Sequence, residues 1–145
     1  KVKRTVGLLM EDNFPKAIIF DLDGTLALLT DREPFEWDQV LHDKVNEPIK
    51  EMLNLFHRNG YQILLVSGRD TSAEKLTQDW LKGNTIKYDK LFLRPIDDNQ
   101  SNSNFKRDLF RQKIIKDYHV KFVIEDMRDV TDMYRTEFGL TVFQV

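Results

Sequence analysis

Runs of consecutive apolar residues recur along this chain and predict strands that are buried on both faces. The first run, residues 17–20, is apolar without interruption up to Asp21. Continuous rather than alternating apolarity is typical of a parallel sheet, because helices cover both faces of such a sheet. Similar runs predict four more strands, at residues 62–67, 91–93, 121–125 and 140–145.

Between these runs, apolar residues return every three or four positions and predict helices. The first helix spans the apolar positions 49–56 and should end at Asn59-Gly60, a common C-terminal stop. The second should begin at the capping-box pattern Thr71-x-x-Glu74. Two more are predicted at about 104–118 and at 128–138. Residues 24–45 carry no clear periodicity and are expected to be irregular.

Strands that alternate with helices predict an α/β fold with a five-stranded, mainly parallel sheet and helices on both faces. A chain of 145 residues has room for one domain with a single core. We assign residues 16–145 to this domain. Residues 1–15 are expected to be an approach segment or linker, in which residues 6–10 form either a short strand or a linker that docks.

The composition excludes several classes of protein and of site. The 22 Lys+Arg and 24 Asp+Glu residues give a formal charge of −2, which disfavours a protein that coats nucleic acid over its whole surface but leaves a local basic site open. The absence of cysteine excludes disulfides, thiolate metal sites and cysteine nucleophiles, and it fits a reducing, cytoplasmic location. No apolar run approaches the roughly 20 residues needed to span a membrane, and no secretory leader is recognisable, so we expect no membrane association.

Polar residues follow three of the predicted strands directly. Because the carboxyl ends of parallel strands meet at one edge of a sheet, where α/β proteins bind ligands, these residues should lie close together. Lys106, near the start of the third helix, can reach the same edge. The segments that supply the polar residues are Asp21-Leu22-Asp23-Gly24-Thr25, Ser67-Gly68-Arg69 and Glu125-Asp126.

Four carboxylates at one edge are costly unless a positive charge lies among them. Oxygen ligands without cysteine favour a hard cation, and Mg²⁺ held by a few carboxylates is a usual arrangement for phosphoryl transfer. The sequence therefore predicts Mg²⁺ as the cofactor.

A carboxylate can also attack phosphorus and form an aspartyl-phosphate. Asp21 and Asp23 are two residues apart, so along an extended chain both side chains point the same way. One can attack while the other protonates the leaving oxygen and later activates water. Gly24 permits the tight turn that this needs. Ser67 and backbone N–H groups could bind phosphate oxygens, and Lys106 could offset charge in the transition state.

The segment Phe20-Asp21-Leu22-Asp23-Gly24-Thr25-Leu26 resembles the first motif of the haloacid-dehalogenase (HAD) superfamily. Ser67, Lys106 and Glu125-Asp126 stand where the second, third and fourth motifs should be, in the right order. The resemblance covers nearly the whole chain from residue 16 and implies a Rossmann-like HAD fold.

Further segments resemble the phosphatase domain of bacteriophage polynucleotide kinase/phosphatase. That domain removes a 3′-phosphate, or opens and removes a 2′,3′-cyclic phosphate, at nucleic-acid ends. The resemblance therefore also implies a kinase or ligase, either fused or as a partner. The matching segments are Asp31-Arg32-Glu33-Pro34-Phe35, Gly60-Tyr61-Gln62-Ile63, Val66-Ser67-Gly68-Arg69 and Val130-x-x-Met133-Tyr134-Arg135.

The resemblance implies a role for each matched residue. Asp21 would be the nucleophile and Asp23 the general acid and base. Mg²⁺ would bind the side chains of Asp21 and Asp126 and the backbone carbonyl of Asp23, with Glu125 in the outer shell. Lys106 would hold Asp21 and the phosphoryl group, and Ser67 would complete the catalytic set. The implied substrate-binding residues are Gly24, Thr25, Arg32, Gly68 and Arg69.

Three positions depart from the phage pattern. Glu125 stands where the phage domain has an aspartate, and Met127 stands where an arginine normally follows the acidic pair. Asn102 replaces an acidic residue four positions before the third-motif lysine.

Several assignments have alternatives in the sequence. Lys106 belongs to a group of basic residues, and Arg107 is the fallback for its role. Arg32 either contacts the substrate or pairs with its charged neighbours. Arg94 either contacts the substrate or holds its own loop in place.

The intervals between the motifs predict a minimal cap. Once a helix and a strand are counted, neither the interval from Asp23 to Ser67 nor that from Ser67 to Lys106 is long enough for a full lid domain. An uncovered site suits a large substrate such as a polymer end, because small-metabolite phosphatases more often use a lid. Trp37 and Phe35 in the first interval either stack on a base or anchor the loop.

Taken together, these features predict a Mg²⁺-dependent HAD phosphatase that acts on the 3′ ends of nucleic acids through an aspartyl-phosphate at Asp21. One alternative is an open-site HAD phosphatase for a small phosphoester or a phosphoprotein. Another is a non-catalytic phosphate-binding module that keeps the fold. The near-neutral charge predicts a short footprint on nucleic acid and a modest salt dependence of binding.

Overall fold

The computed structural model describes residues 13–30, 32–34 and 36–145, which form seven strands and four α-helices. The predicted approach segment therefore lies largely outside the described residues, as does Phe35. The strands are β1 (Lys16–Phe20), β2 (Ala27–Leu28), β3 (Lys44–Val45), β4 (Gln62–Asp70), β5 (Lys90–Arg94), β6 (His119–Glu125) and β7 (Val142–Gln144). The helices are α1 (Glu47–Arg58), α2 (Glu74–Gly83), α3 (Asn102–Leu109) and α4 (Arg128–Phe138).

Five strands form one sheet in the order β5-β4-β1-β6-β7, and every neighbouring pair in it is parallel. The chain moves from β1 outward to β4 and β5, then returns to place β6 on the other side of β1. Such a reversal opens a crevice beyond the carboxyl ends of the central strands. The predicted α/β fold with a five-stranded parallel sheet is confirmed.

The sheet is buried on both faces, as the continuous apolar runs predict. Ala17 and Ile19 of β1 belong to one apolar cluster, which α3 and α4 complete. Ile18 and Phe20 belong to a second cluster, to which α1 and α2 contribute. Because alternate residues of one strand enter different clusters, both faces of β1 are apolar from Ala17 to Phe20, and the only polar residue of the strand is the exposed Lys16 at its start.

The stretch expected to be irregular contains a small amount of regular structure. Strands β2 and β3 form an antiparallel ribbon, and a 3₁₀-helix (Trp37–His42) lies between them. Elements of two residues are too short to produce a periodic signal, so the sequence could not indicate them. The described part of this stretch contains no larger cap, in agreement with the prediction.

Two predicted helix starts differ from the structure. β4 runs on to Asp70, whose side chain accepts a hydrogen bond from the backbone N–H of Ser72. A short 3₁₀-turn (Thr71–Ala73) then leads into α2, so the capping box predicted at Thr71 is wrong and Asp70 is the cap. The next helix, α3, begins at Asn102 behind an N-cap at Ser101 and continues as a π-helix, Phe110–Ile114.

The predicted ends of the first and fourth helices are confirmed, whereas the third, predicted to reach about residue 118, ends with the π-helix at Ile114. α1 ends at Arg58, just before Asn59-Gly60, and α4 ends at Phe138. Gly139 follows α4 with φ of 64°, a left-handed conformation that glycine adopts without steric cost. Among the described residues, no helix combines the length and the apolar character needed to cross a membrane.

The central strands should dominate stability. Leu65 in β4 is completely buried between β1 and β5, so Leu65→Ala should lower the free energy of unfolding by about 2–5 kcal/mol. Leu55→Ala is the matched control, because Leu55 lies on α1 with 48% of its surface exposed and should change stability by no more than about 0.5 kcal/mol. Urea unfolding followed by circular dichroism measures both. Equal losses would mean that the core does not centre on β4.

Candidate active site

A cavity of about 190 Å³ opens at the carboxyl ends of the central strands. Among the described residues, five parts of the chain meet there: the segment after β1, the segment after β2, the end of β4, the helix α3 and the segment after β6. The lining residues are Asp21, Asp23, Leu29, Pro34, Trp37, Gly68, Arg69, Asn102, Lys106 and Met127. The predicted meeting of the motifs at one edge of the sheet is confirmed.

Lys106 lies between two buried carboxylates. Its Nζ donates to Asp21 Oδ1 at 2.8 Å and to Glu125 Oε2 at 2.9 Å. Burial alone would lower the pKa of Lys106, but the charges of Asp21 and Glu125 outweigh it and raise that pKa above its usual value. Lys106 therefore remains an ammonium ion inside the protein. Arg107, the fallback for this role, instead contacts Asp108 and Asn104.

The same contact keeps Asp21 ionised. Burial tends to raise the pKa of Asp21, but the positive charge of Lys106 lowers it below its usual value. The hydroxyl of Thr25 also donates to Asp21 Oδ2 at 3.1 Å. A buried carboxylate that remains charged and lines a cavity is equipped to act as a nucleophile.

Asp21, Glu125 and Asp126 together can hold a metal ion, since each offers an oxygen within 4.8 Å of the others. Burial raises the pKa of Asp126 to about 6, and the neighbouring Asp21 adds to this effect. No salt bridge to Asp126 is found in the described part of the chain. A divalent cation would relieve this crowding, and three carboxylate oxygens suit a hard ion such as Mg²⁺.

Gly24 makes room for this acidic cluster. Its φ is +85°, and a Cβ atom added there would lie 2.1 Å from Asp126 Oδ2. The segment after β1 can therefore pass beside the Asp126 carboxylate only without a side chain at this position. The turn predicted at Gly24 is confirmed.

Asp23 has a different environment from Asp21. Arg69 donates to both Asp23 oxygens, from Nε at 3.0 Å and from an Nη at 2.7 Å. Arg32 donates to the same carboxylate at 3.1 Å. Since the Asp23 side chain is still 32% exposed, it is held firmly but remains accessible from the cavity.

A second aspartate, Asp43, completes this group. Its Oδ1 accepts from Arg32 Nε at 2.7 Å, and its Oδ2 accepts from an Nη of each arginine, at 2.9 Å for Arg32 and 3.0 Å for Arg69. Asp43 is buried, and its carboxylate together with that of Asp23 balances the two guanidinium groups. We call Asp23, Arg32, Asp43 and Arg69 the arginine clamp.

The guanidinium groups of both arginines therefore donate their hydrogen bonds to groups of the protein itself. Arg32 directs N–H groups at Asp23, at Asp43 and at the backbone oxygens of Glu33 and Pro34, and it does not line the cavity. Arg69 lines the cavity, but it also donates to Thr77 Oγ1 at 2.9 Å. That either arginine contacts the substrate directly remains a prediction.

The second-motif loop is held by Arg94. Arg94 donates to the backbone oxygen of Gly68 at 3.1 Å and also to Gln100 O and Asn102 Oδ1. An added Cβ at Gly68 would meet Asn102 Oδ1 at 2.4 Å, so these loops pack closely. Ser67 is buried beside them and accepts from the Arg69 backbone N–H at 3.2 Å. The sequence leaves two roles open for Arg94, contact with the substrate or holding its own loop in place. These hydrogen bonds favour the second role.

Sequence reasoning missed Asp43. It lies near the end of the 3₁₀-helix, in the segment without periodicity, and no motif includes it. The available signal was indirect: two arginines predicted near Asp23 require more than one carboxylate if they are buried.

The chain matches the family described as the polynucleotide kinase PNKP phosphatase domain over residues 15–145. A candidate bifunctional polynucleotide kinase/RNA ligase from Autographa californica nuclear polyhedrosis virus is 36% identical over 137 residues. That match covers 92% of this chain but 20% of the viral protein, so the chain spans about a fifth of this relative.

Solved structures agree with this match. A chain in the structure of the Pnkp1/Rnl/Hen1 RNA repair complex superimposes with a TM-score of 0.88 at 37% identity, over 91% of this chain and 42% of that one. The class C acid phosphatase from Bacillus anthracis shares the fold, with a TM-score of 0.65 at 14% identity over 99% of this chain and 71% of its own. The chain therefore belongs to the HAD-type phosphatase-domain family of polynucleotide kinase/phosphatases.

Proposed function

We propose that this domain removes the 3′-phosphate from nucleic-acid ends with the help of Mg²⁺, through an aspartyl-phosphate at Asp21. A 2′,3′-cyclic phosphate, opened first, would be a second substrate of the same site. The observation that carries the proposal is that Asp21 and Asp23 line one cavity but are held by different groups. One carboxylate is charged and buried, whereas the other is oriented and accessible.

The chemistry divides between these two aspartates. An oxygen of Asp21 attacks phosphorus, and the bond from phosphorus to the nucleoside 3′-oxygen breaks. Asp23 gives a proton to that leaving oxygen and is then a carboxylate. In the second step Asp23 takes a proton from water, the water oxygen attacks phosphorus, and phosphate leaves while Asp21 is restored.

Other residues support both steps. Lys106 keeps Asp21 charged and lies where it can stabilise negative charge on the phosphoryl oxygens. Thr25 fixes the second Asp21 oxygen, and the arginine clamp fixes Asp23. Ser67 and the Gly68 N–H, near the end of β4, would bind phosphate oxygens, as the resemblance implies.

Asp21 and Asp126 would hold the Mg²⁺ ion with the backbone carbonyl of Asp23, and Glu125 would support them from behind. When bound, the ion would neutralise phosphate oxygens and help to place phosphorus against Asp21. The fit rests on the acidic cluster and on the space that Gly24 leaves beside Asp126.

The matched relatives favour RNA ends as the substrate, since one is a candidate kinase/RNA ligase and another lies in an RNA repair complex. We infer that this domain works with a polynucleotide kinase or ligase, either fused or associated. The described part of the chain has no full lid, which leaves the site accessible to a polymer end.

The central test compares phosphate release from five substrates. With Mg²⁺, 3′-phosphorylated RNA and DNA oligonucleotides should be hydrolysed far better than their 5′-phosphorylated twins or a small aryl phosphate. Asp21→Asn should abolish turnover because the amide cannot attack phosphorus. Asp97→Asn, on an exposed loop, is the matched control and should leave the rate unchanged. Chelation by EDTA should stop the reaction, and added Mg²⁺ should restore it. Turnover of the aryl phosphate that equals or exceeds that of the 3′-phosphorylated oligonucleotides would contradict the nucleic-acid assignment.

The arginine clamp should matter most for poor leaving groups. Asp43→Asn removes one of the two negative charges that balance Arg32 and Arg69, so Asp23 should lose its orientation as a proton donor. We expect kcat/KM for a 3′-phosphorylated oligonucleotide to fall at least about tenfold. The loss for p-nitrophenyl phosphate should be smaller, because nitrophenolate leaves without a proton. Asp38→Asn, exposed on the same 3₁₀-helix, is the control, and equal losses on both substrates would argue against this role.

The acidic cluster should tolerate no side chain at position 24. Gly24→Ala forces a Cβ atom against Asp126 at a positive φ, so it should reduce turnover by about 100-fold or more. Gly83→Ala is the control, since a Cβ atom at Gly83 meets nothing within 4 Å. Phosphate-release assays, with circular dichroism to verify folding, measure both variants. Wild-type activity in Gly24→Ala would contradict the packing beside Asp126.

A further inference from the structure

The cavity has an apolar side that the proposed phosphoryl chemistry does not use. Leu29, Pro34 and Trp37, from the segment that follows β2, line it together with Met127, which follows β6. We call these four residues the apolar wall. A phosphate group gains nothing from such a surface, because its oxygens need hydrogen-bond donors and cations.

The apolar wall is tied to the carboxylate that faces the leaving group. Arg32 donates to Asp23 Oδ1 and also to the backbone oxygen of Pro34, each at 3.1 Å. One guanidinium group therefore holds both Asp23, the proposed proton donor, and Pro34 of the apolar wall. If Asp23 protonates the leaving 3′-oxygen, as the proposed function requires, the nucleoside attached to that oxygen must lie beside this wall.

The wall is also anchored to the body of the domain. Trp37 begins the 3₁₀-helix, and Val40 in the same helix is completely buried. Directly after this helix, the backbone oxygen of Asp43 accepts a hydrogen bond from Trp80 Nε1 of α2 at 2.9 Å. A surface held in place before binding loses little entropy when a ligand arrives, which favours a binding role.

Charge alone gives the site little means of selecting a nucleic-acid end. The cations that line the cavity, Lys106 and Arg69, already contact carboxylates, and the chain as a whole carries a formal charge of −2. The cavity of about 190 Å³ is several times the volume of one water, about 30 Å³, and part of its lining is apolar and unsuited to phosphate. Selection must then come from contacts with the terminal nucleoside.

We propose that the apolar wall is a binding site for the terminal nucleoside, in which Trp37 stacks on the base and Met127 contacts the same nucleoside. This inference rests on the proposed function and adds its source of selectivity. The site distinguishes nucleoside 3′-phosphate ends from small alkyl phosphates by stacking, and it needs no long contact with the backbone.

The test is a ratio of specificities. We compare kcat/KM for a 3′-phosphorylated oligonucleotide with kcat/KM for glycerol 2-phosphate, which has no base. Trp37→Ala should lower this ratio about tenfold or more, the range expected for the loss of one stacked base. Trp37→Phe should keep most of it because a ring remains. Met127→Ala, at a residue with 42% of its surface exposed, should lower the ratio by a smaller factor.

A binding measurement provides a second readout. In the Asp21→Asn background, which leaves the substrate uncleaved, Trp37→Ala should weaken calorimetric binding of the 3′-phosphorylated oligonucleotide by a similar factor. Leu55→Ala, an exposed apolar residue on α1 outside the cavity, should change neither the ratio nor the binding.

The outcomes separate the two proposals. If the parent enzyme prefers the oligonucleotide and both Trp37→Ala and Met127→Ala keep the ratio, the apolar wall is not the nucleoside site. Equal losses on both substrates would assign Trp37 a structural role and would also overturn the inference. If the parent itself uses glycerol 2-phosphate as well as the oligonucleotide, the proposed function fails. Should Trp37→Ala not fold, Trp37→Phe and Met127→Ala decide in the same way.

Discussion

The ammonium group of Lys106, buried between Asp21 and Glu125, is the contact on which the active edge of this sheet depends. Those carboxylates belong to different strand ends, β1 and β6, and would repel each other across a short distance without a cation. Lys106 can reach them only because α3 packs Phe105 and Leu109 into the core and so turns the lysine toward the strand ends. The same packing that stabilises the domain therefore positions the group that keeps Asp21 charged.

The charges at this edge fall into two groups with different balances. The arginine clamp has two guanidinium groups and two carboxylates, so it is neutral when all four are ionised. The other group has three carboxylates, Asp21, Glu125 and Asp126, and the single ammonium of Lys106. Burial raises the pKa of Glu125 to about 8, but when all four groups are ionised the excess of two negative charges matches a divalent cation and lies wholly on the side of Asp21. This asymmetry explains how two aspartates two residues apart can serve different purposes.

The sequence predicted the parts of the structure that repeat a signal over many residues. The five sheet strands and the course of α1 and α4 follow from long apolar runs and helical spacing. The meeting of Asp21 with Lys106 and Glu125-Asp126 follows from their places at strand ends and from the resemblance to known motifs. β4 is longer than predicted because Gly68-Arg69-Asp70 continues as extended chain and Asp70 pairs with Arg94 of β5.

What the sequence could not indicate comes mainly from residues 24–45. Asp43 and three of the four residues of the apolar wall lie in this segment, where two-residue strands and a 3₁₀-helix give no hydrophobic periodicity. Their positions depend on long-range contacts, such as that of Arg69 with Asp43 and that of Trp80 with the Asp43 backbone. Such contacts join residues that are far apart in the sequence, so local patterns do not reveal them.

The departures from the phage pattern are accommodated by local changes. Glu125 is one methylene longer than aspartate, and its Oε1 accepts the backbone N–H groups of Asp126 and Met127, at 3.1 Å and 3.2 Å. Its Oε2 remains on Lys106, so one side chain both closes the turn after β6 and supports the lysine. Asn102, which replaces an acidic residue, binds Arg94 instead. Lys106 thus has no need of a carboxylate on its own helix, because Glu125 supplies that charge from β6.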